Sequence, residues 1–110
     1  MPLDATFQAL ADPARLVMVE RLARGPASVS ELARPLDMSL SAVMQHLAVL
    51  EASGLVRSRK VGRVRTCEIN SKVLDRAERW FSDRRAQWER KLDALGAYLD
   101  EAEGKSRRKP

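Results

Sequence analysis

Residues 28–54, SVSELARPLDMSLSAVMQHLAVLEASG, decide how the rest of the chain reads. Two short helical patterns flank a tight break at Leu36-Asp37-Met38. Ser28 and Glu31 have capping-box spacing, in which the hydroxyl accepts the backbone N–H of residue 31 while the carboxylate reaches back. Val29, Leu32 and Ala33 form the apolar set of the first helix, and Pro35 keeps it brief. Ser39 is the expected N-cap of a second helix over about 40–53, with Gly54 just past its end. Two helices joined by so short a turn cross steeply, which is the helix-turn-helix arrangement.

The second helix carries the unusual signal. Residues 40–50 contain no Asp, Glu, Lys or Arg in a chain that is 32% charged. On a helical wheel Leu40, Val43, Leu47 and Leu50 form one stripe, expected to face the core. Opposite lie Ser41, Gln45 and Ala48, flanked by Met44, Ala42 and Val49. A solvent-facing surface would carry Lys and Glu there; small hydrogen-bonding and apolar side chains suit base edges and thymine methyls in a DNA groove. A helix buried on both sides is the alternative. His46, beside the core stripe, suits either packing or DNA contact.

Further along, residues 55–60 and 64–69 read as two strands joined through Val61-Gly62-Arg63, where Gly62 is free to take positive φ. Residues 55–65, LVRSRKVGRVR, hold five basic and no acidic residues, whereas residues 1–54 hold four basic and six acidic. Arg57, Arg59, Lys60, Arg63 and Arg65 crowded on one hairpin cost stability unless an anion lies nearby. Phosphates beside a groove would serve, fixing register without reading sequence. An ordinary solvated edge hairpin, charged against aggregation, is the alternative. Cys67 shares a strand side with Ile69 and is expected to point inward.

Asn70 can cap a final helix over about 71–103. Leu74, Phe81, Trp88, Leu95 and Ala102 recur there every seven residues, with Leu92 and Leu99 as a second set. Such a seam implies a partner helix along much of its length. The preceding helices are too short to cover it, so a second copy of the chain is the economical partner. A ligand pocket between the two Trp is the other reading. Residues 105–110, KSRRKP, are expected to be a basic, disordered tail behind a single domain over 1–104.

At the other end, Leu3, Phe7, Leu10 and Ala11 share a helical face. Asp12-Pro13 then starts a second helix with Asp12 as N-cap, carrying Leu16, Val17, Val19 and Leu22 to about residue 24 before Gly25-Pro26. Both are read as scaffold and dimer contact. The whole, 110 residues at net charge +5 and 45% apolar, suits one small globular domain. No apolar run reaches the roughly 18 residues of a membrane span, and the start of the chain lacks the basic-then-apolar order of a secretory signal. With one cysteine and no internal disulfide, the cytoplasm is the expected compartment. One His, one Cys and no Gly-rich phosphate loop argue against an enzyme; no cofactor is expected.

The order helix, helix, helix-turn-helix, hairpin, long helix resembles the winged helix-turn-helix regulators of the ArsR type. Over residues 7–69 the pieces ADPxR, SVxEL, HLxxLxxxGLV and VGRV occur together and in order. The resemblance implies a mainly α fold with a small β-hairpin wing and a long C-terminal dimerisation helix. It also implies a dimeric transcriptional repressor on pseudo-palindromic double-stranded DNA, released when a ligand or metal binds. It puts Ser41, Met44 and Gln45 where such proteins touch bases, and Gly62 and Arg63 where the wing meets the backbone. The full DNA-facing expectation is Ser39, Ser41, Ala42, Met44, Gln45 and His46 on the helix, with Arg57, Arg59, Lys60, Gly62, Arg63 and Arg65 on the hairpin. The dimer expectation is Phe7, Leu74, Phe81, Trp88, Leu92, Leu95 and Leu99. Metal-sensing members place paired cysteines in the third helix or Asp, His and Glu ligands on the last. Here the third helix reads SVSELARP and the last has no histidine, so metal sensing by those sites is not expected. An unidentified small-molecule inducer then remains, beside two other readings: a redox response through Cys67, and an architectural DNA-binding protein.

Overall fold

The computed structural model describes residues 2–107. Its elements are α1 (Leu3–Leu10), α2 (Pro13–Leu22), β1 (Ala27–Ser28), α3 (Val29–Ala33), α4 (Leu40–Ala52), β2 (Val56–Val61), β3 (Val64–Ile69) and α5 (Ser71–Arg107). The chain divides into two compact units, Met1–Ala77 and Glu78–Pro110.

In the first unit the local signals do as their chemistry requires. Asp12 accepts from the backbone N–H groups of Ala14 and Arg15 at 2.9 and 3.2 Å, capping α2. Ser28 and Ser39 cap α3 and α4 in the same way, through Glu31 N and Ala42 N. Only half of the capping box forms: the Glu31 carboxylate turns to Arg21 at 3.0 Å and accepts from the Ser28 hydroxyl. The buried cluster joins Met18 and Leu22 of α2, Leu32 of α3, and Val43, Leu47 and Leu50 of α4 to Leu55, Val56, Cys67 and Val73. Full burial of one such side chain contributes about 1.5–3 kcal/mol.

Three expectations change. In α1 the buried residues are Thr6 and Ala9, while Phe7 is half-buried and Ala11 exposed. In α2 the core residues are Met18, fully buried, and Leu22, while Leu16 and Val17 are exposed. Leu40 does not belong to the core stripe: it is 61% exposed, and the stripe begins at Val43. The physical reason is local. Leu40 opens the first turn of α4, where the five-residue α3 and the wing leave a cleft.

The sheet is three-stranded and antiparallel, in the order β1-β3-β2. The strand β1, with Ala27 opposite Cys67 and Ser28 opposite Thr66, has no sequence signal of its own; two residues show no periodicity, and the pairing is a tertiary event. Between β2 and β3 the pair Val61–Val64 encloses Gly62-Arg63, with Gly62 at φ +64°. That pattern suits a two-residue hairpin turn whose first position demands glycine.

Asn70 caps α5 through Lys72 N at 3.3 Å, and Val73 and Ala77 are buried in the first unit. The helix continues through Arg107, so 105–107 of the expected tail are helical, while 108–110 lie outside the described residues. In the second unit, side chains from Glu78 to Gly104 are exposed or half-exposed, among them Phe81, Trp88, Leu92, Leu95 and Leu99. Trp80 and Phe81 meet edge to face at 5.3 Å.

Candidate nucleic-acid interface

The outward side of α4 is Ser41, Gln45, Ala48 and Val49, all exposed, and none is charged. Of the other expected contacts on this helix, Ala42 and Met44 are half-buried, and Met44 packs against the core cluster. The Ser39 hydroxyl is engaged as the cap of its own helix.

His46 points the other way. Its Nδ1 lies 3.2 Å from Arg15 Nη1 and 3.9 Å from an Asp12 carboxylate oxygen. A guanidinium only donates, so Nδ1 stands as the acceptor in the shorter contact. Arg15 also donates through Nε to Ala9 O at 2.6 Å, which satisfies a carbonyl at the end of α1. His46 thus ties α4 to the α1–α2 corner, the packing role that stood open beside DNA contact. Asp12, at the same corner, has its carboxyl held below the usual range, chiefly by the Arg15 backbone N–H. Partial burial opposes this; the Ala14 N–H and the charge of Arg15 add to it.

The wing's five cations do not act alike. The Arg65 guanidinium grips both Glu51 carboxylate oxygens at 2.9 and 3.0 Å and donates through Nε to Ser58 Oγ at 2.9 Å. The Ser58 hydroxyl in turn donates to Glu51. This two-pronged arrangement clamps the end of α4 to both strands of the wing. Arg57 pairs across the ladder with Glu68 at 3.4 Å, the two lying directly opposite in register. Arg57 and Arg65 thus each have an acidic partner inside the chain, beside the phosphate contact expected of them. Among the described residues Arg59, Lys60 and Arg63 make no ion pair, and all three are exposed around Gly62 at the wing tip. Sequence reading missed Glu51 as the partner of Arg65, fourteen residues away, because nothing local announces a pairing between a helix end and a strand.

Between α3, the first turns of α4 and the wing tip runs a cleft lined by Val29, Ser30, Leu40, Met44, Arg63 and Val64. Its lining also includes Ser28 and Arg65, so apolar and cationic side chains share it. A broader hollow along α5, among Trp80, Phe81, Arg84, Trp88 and Lys91, is walled by one helix alone. Arg84 and Lys91 lie 5.5 and 5.9 Å over the Trp80 and Trp88 rings.

Cys67 is fully buried on the inner face of β3. Burial pushes its thiol up, Glu51 adds to the shift and Arg65 opposes it. A thiol held protonated and away from solvent is a poor nucleophile, which weighs against a redox response there. Among the described residues no group of three His, Cys, Asp or Glu side chains converges to hold a metal ion, and no helix is long and apolar enough to cross a membrane.

Comparison with known proteins agrees with this geometry. A helix-turn-helix domain family matches residues 10–59. The chain is 43% identical over 97 residues to the HTH-type transcriptional regulator Rv2034 of Mycobacterium tuberculosis, covering 88% of each chain. It is 46% identical over 57 residues to the transcriptional repressor SmtB homolog of Synechocystis sp., covering 52% of this chain and 43% of that one. Among solved structures, the ArsR family transcriptional regulator RHA00566 superposes with a TM-score of 0.74 at 49% identity. The match covers 79% of this chain and 96% of that one.

Proposed function

The chain belongs to the ArsR family of winged helix-turn-helix transcriptional regulators, and from that membership we propose that it is a dimeric, operator-specific repressor in the cytoplasm. In this reading α4 enters the major groove and turns Ser41 and Gln45 toward base edges. Arg59, Lys60 and Arg63, with the backbone at Gly62, rest on phosphates beside it. The observation that carries the reading is the division of charge: an exposed, uncharged α4 face next to a wing tip whose cations make no ion pair among the described residues. Uncharged donors and acceptors discriminate bases; cations supply affinity through counterion release.

A second copy of the chain covers the α5 seam. The support is the row of exposed Leu74, Phe81, Trp88, Leu92, Leu95 and Leu99 at heptad spacing, more apolar surface than a lone helix keeps in water. Two copies present two α4 helices, so the operator is a pseudo-palindrome with half-sites about one helical turn apart. Repression is supported by the name of the Synechocystis relative. Release follows a small molecule of unidentified chemistry.

Selection of bound duplexes from a random pool with the full chain tests this directly. An enriched inverted repeat, bound by two chains in sedimentation, is the expected result. Binding that enriches no sequence would leave an architectural protein in its place.

A further inference from the structure

The first turn of α4 exposes an apolar side chain at the place where the helix and the wing come together. We propose that Leu40, backed by Met44, reads the 5-methyl group of a thymine in each half-site and is a specificity-determining residue. The proposal deepens the operator reading above and rests on α4 lying in the major groove.

A singly exposed leucine is ordinary; its surroundings are what point to DNA. Leu40 is the first residue of α4 and 61% exposed. The N-terminal residues of a recognition helix are those that reach base edges. The neighbouring Ser39 hydroxyl is held by Ala42 N, so the polar group at this end of the helix is already used. Ser41 and Gln45, on the adjoining outward face, match the polar atoms of base edges. Leu40 instead lines the cleft together with Val29, Met44, Val64 and Arg63. Duplex DNA is the occupant that meets both demands. Its phosphates match Arg63, and the thymine methyl is the apolar group that unmodified base pairs display in the major groove. The sequence-derived stripe assigned Leu40 to the core, but Val43, Leu47 and Leu50 already close that core.

The test removes the methyl and nothing else. In the tightest duplex recovered by random-pool selection, each thymine is replaced in turn by deoxyuridine. Binding is then measured with the full-length wild type, Leu40→Ala and Leu40→Met. The wild type is expected to lose about three- to fivefold at one thymine per half-site, the scale of one buried methyl. Leu40→Ala binds the thymine and uracil duplexes alike, and Leu40→Met retains the difference. Because the site is exposed and alanine favours helix, the thermal melt of Leu40→Ala stays close to wild type. Uracil that is silent at every position, or an effect of equal size in Leu40→Ala, overturns the proposal alone. Failure to enrich any duplex overturns the operator reading and this one with it.

Discussion

At the scale of single residues, chemistry depends on which partner a side chain already has. Gln45 is exposed on α4, and in the proposed reading its amide carries a base preference. Gln45→Ala is expected to cost about 1–3 kcal/mol on the selected operator and to relax one base position; titrations against operator and random duplexes measure it, and equal loss on both would remove Gln45 from readout. His46 and Asp12 illustrate the opposite case, since their polar atoms are used within the fold. The Asp12 carboxylate is stabilised by the α2 N-terminus, so its folded-state value lies below the unfolded one. The stability it contributes is fully present above the unfolded value of about 3.9 and is lost as pH falls through the lowered folded value. Asp12→Asn keeps a cap oxygen but cannot titrate. Thermal melts from about pH 5 to pH 2 should show the wild type losing its advantage over the variant in that acidic range; a constant gap would mean the carboxylate charge does not matter to the cap.

At the scale of elements, α4 and the wing are joined by the Glu51–Arg65–Ser58 clamp. Both ion-pair partners are partly exposed, so screening keeps the stability at stake to about 1 kcal/mol or less. The larger consequence is orientation. Glu51→Ala leaves Arg65 free to swing and loosens the angle at which wing and recognition helix meet DNA. Operator affinity should fall while its salt dependence stays near the wild-type slope. Arg63→Ala, by contrast, should weaken all duplexes alike and lower the slope by close to one unit. Fluorescence titrations across a salt series separate the two, and identical slopes for both variants would refute the division. The boundaries of α4 and of the hairpin were legible from Ser39, Gly54 and Gly62, because caps and positive-φ turns are local chemistry. The unshared roles of the five wing cations were not, since cross-strand and helix-to-strand partners follow from register.

At the scale of the whole molecule, the proposed dimer rests on α5. Trp88 and Leu92 are 63% and 56% exposed in the single chain and lie on the heptad seam. Trp88→Asp combined with Leu92→Asp places two charges where the partner helix would pack, a cost of several kcal/mol once desolvated. Sedimentation should then show monomers that keep the melting behaviour of the first unit and bind the operator far more weakly. Intact dimers would move the interface elsewhere.

Sequence alone determined what depends on neighbours within a few residues: the caps, the helix-turn-helix spacing, the glycine of the wing turn and the heptad seam. It also separated the uncharged helix from the basic hairpin, since composition is read without knowing contacts. Tertiary structure decided what depends on residues far apart. It brought β1 onto β3, moved Met18 into the core and drew His46 to Arg15. It paired Arg57 and Arg65 with Glu68 and Glu51. It also left Leu40 in the open, because a helical wheel gives an angle, while exposure is set by how far the neighbouring elements extend along the helix.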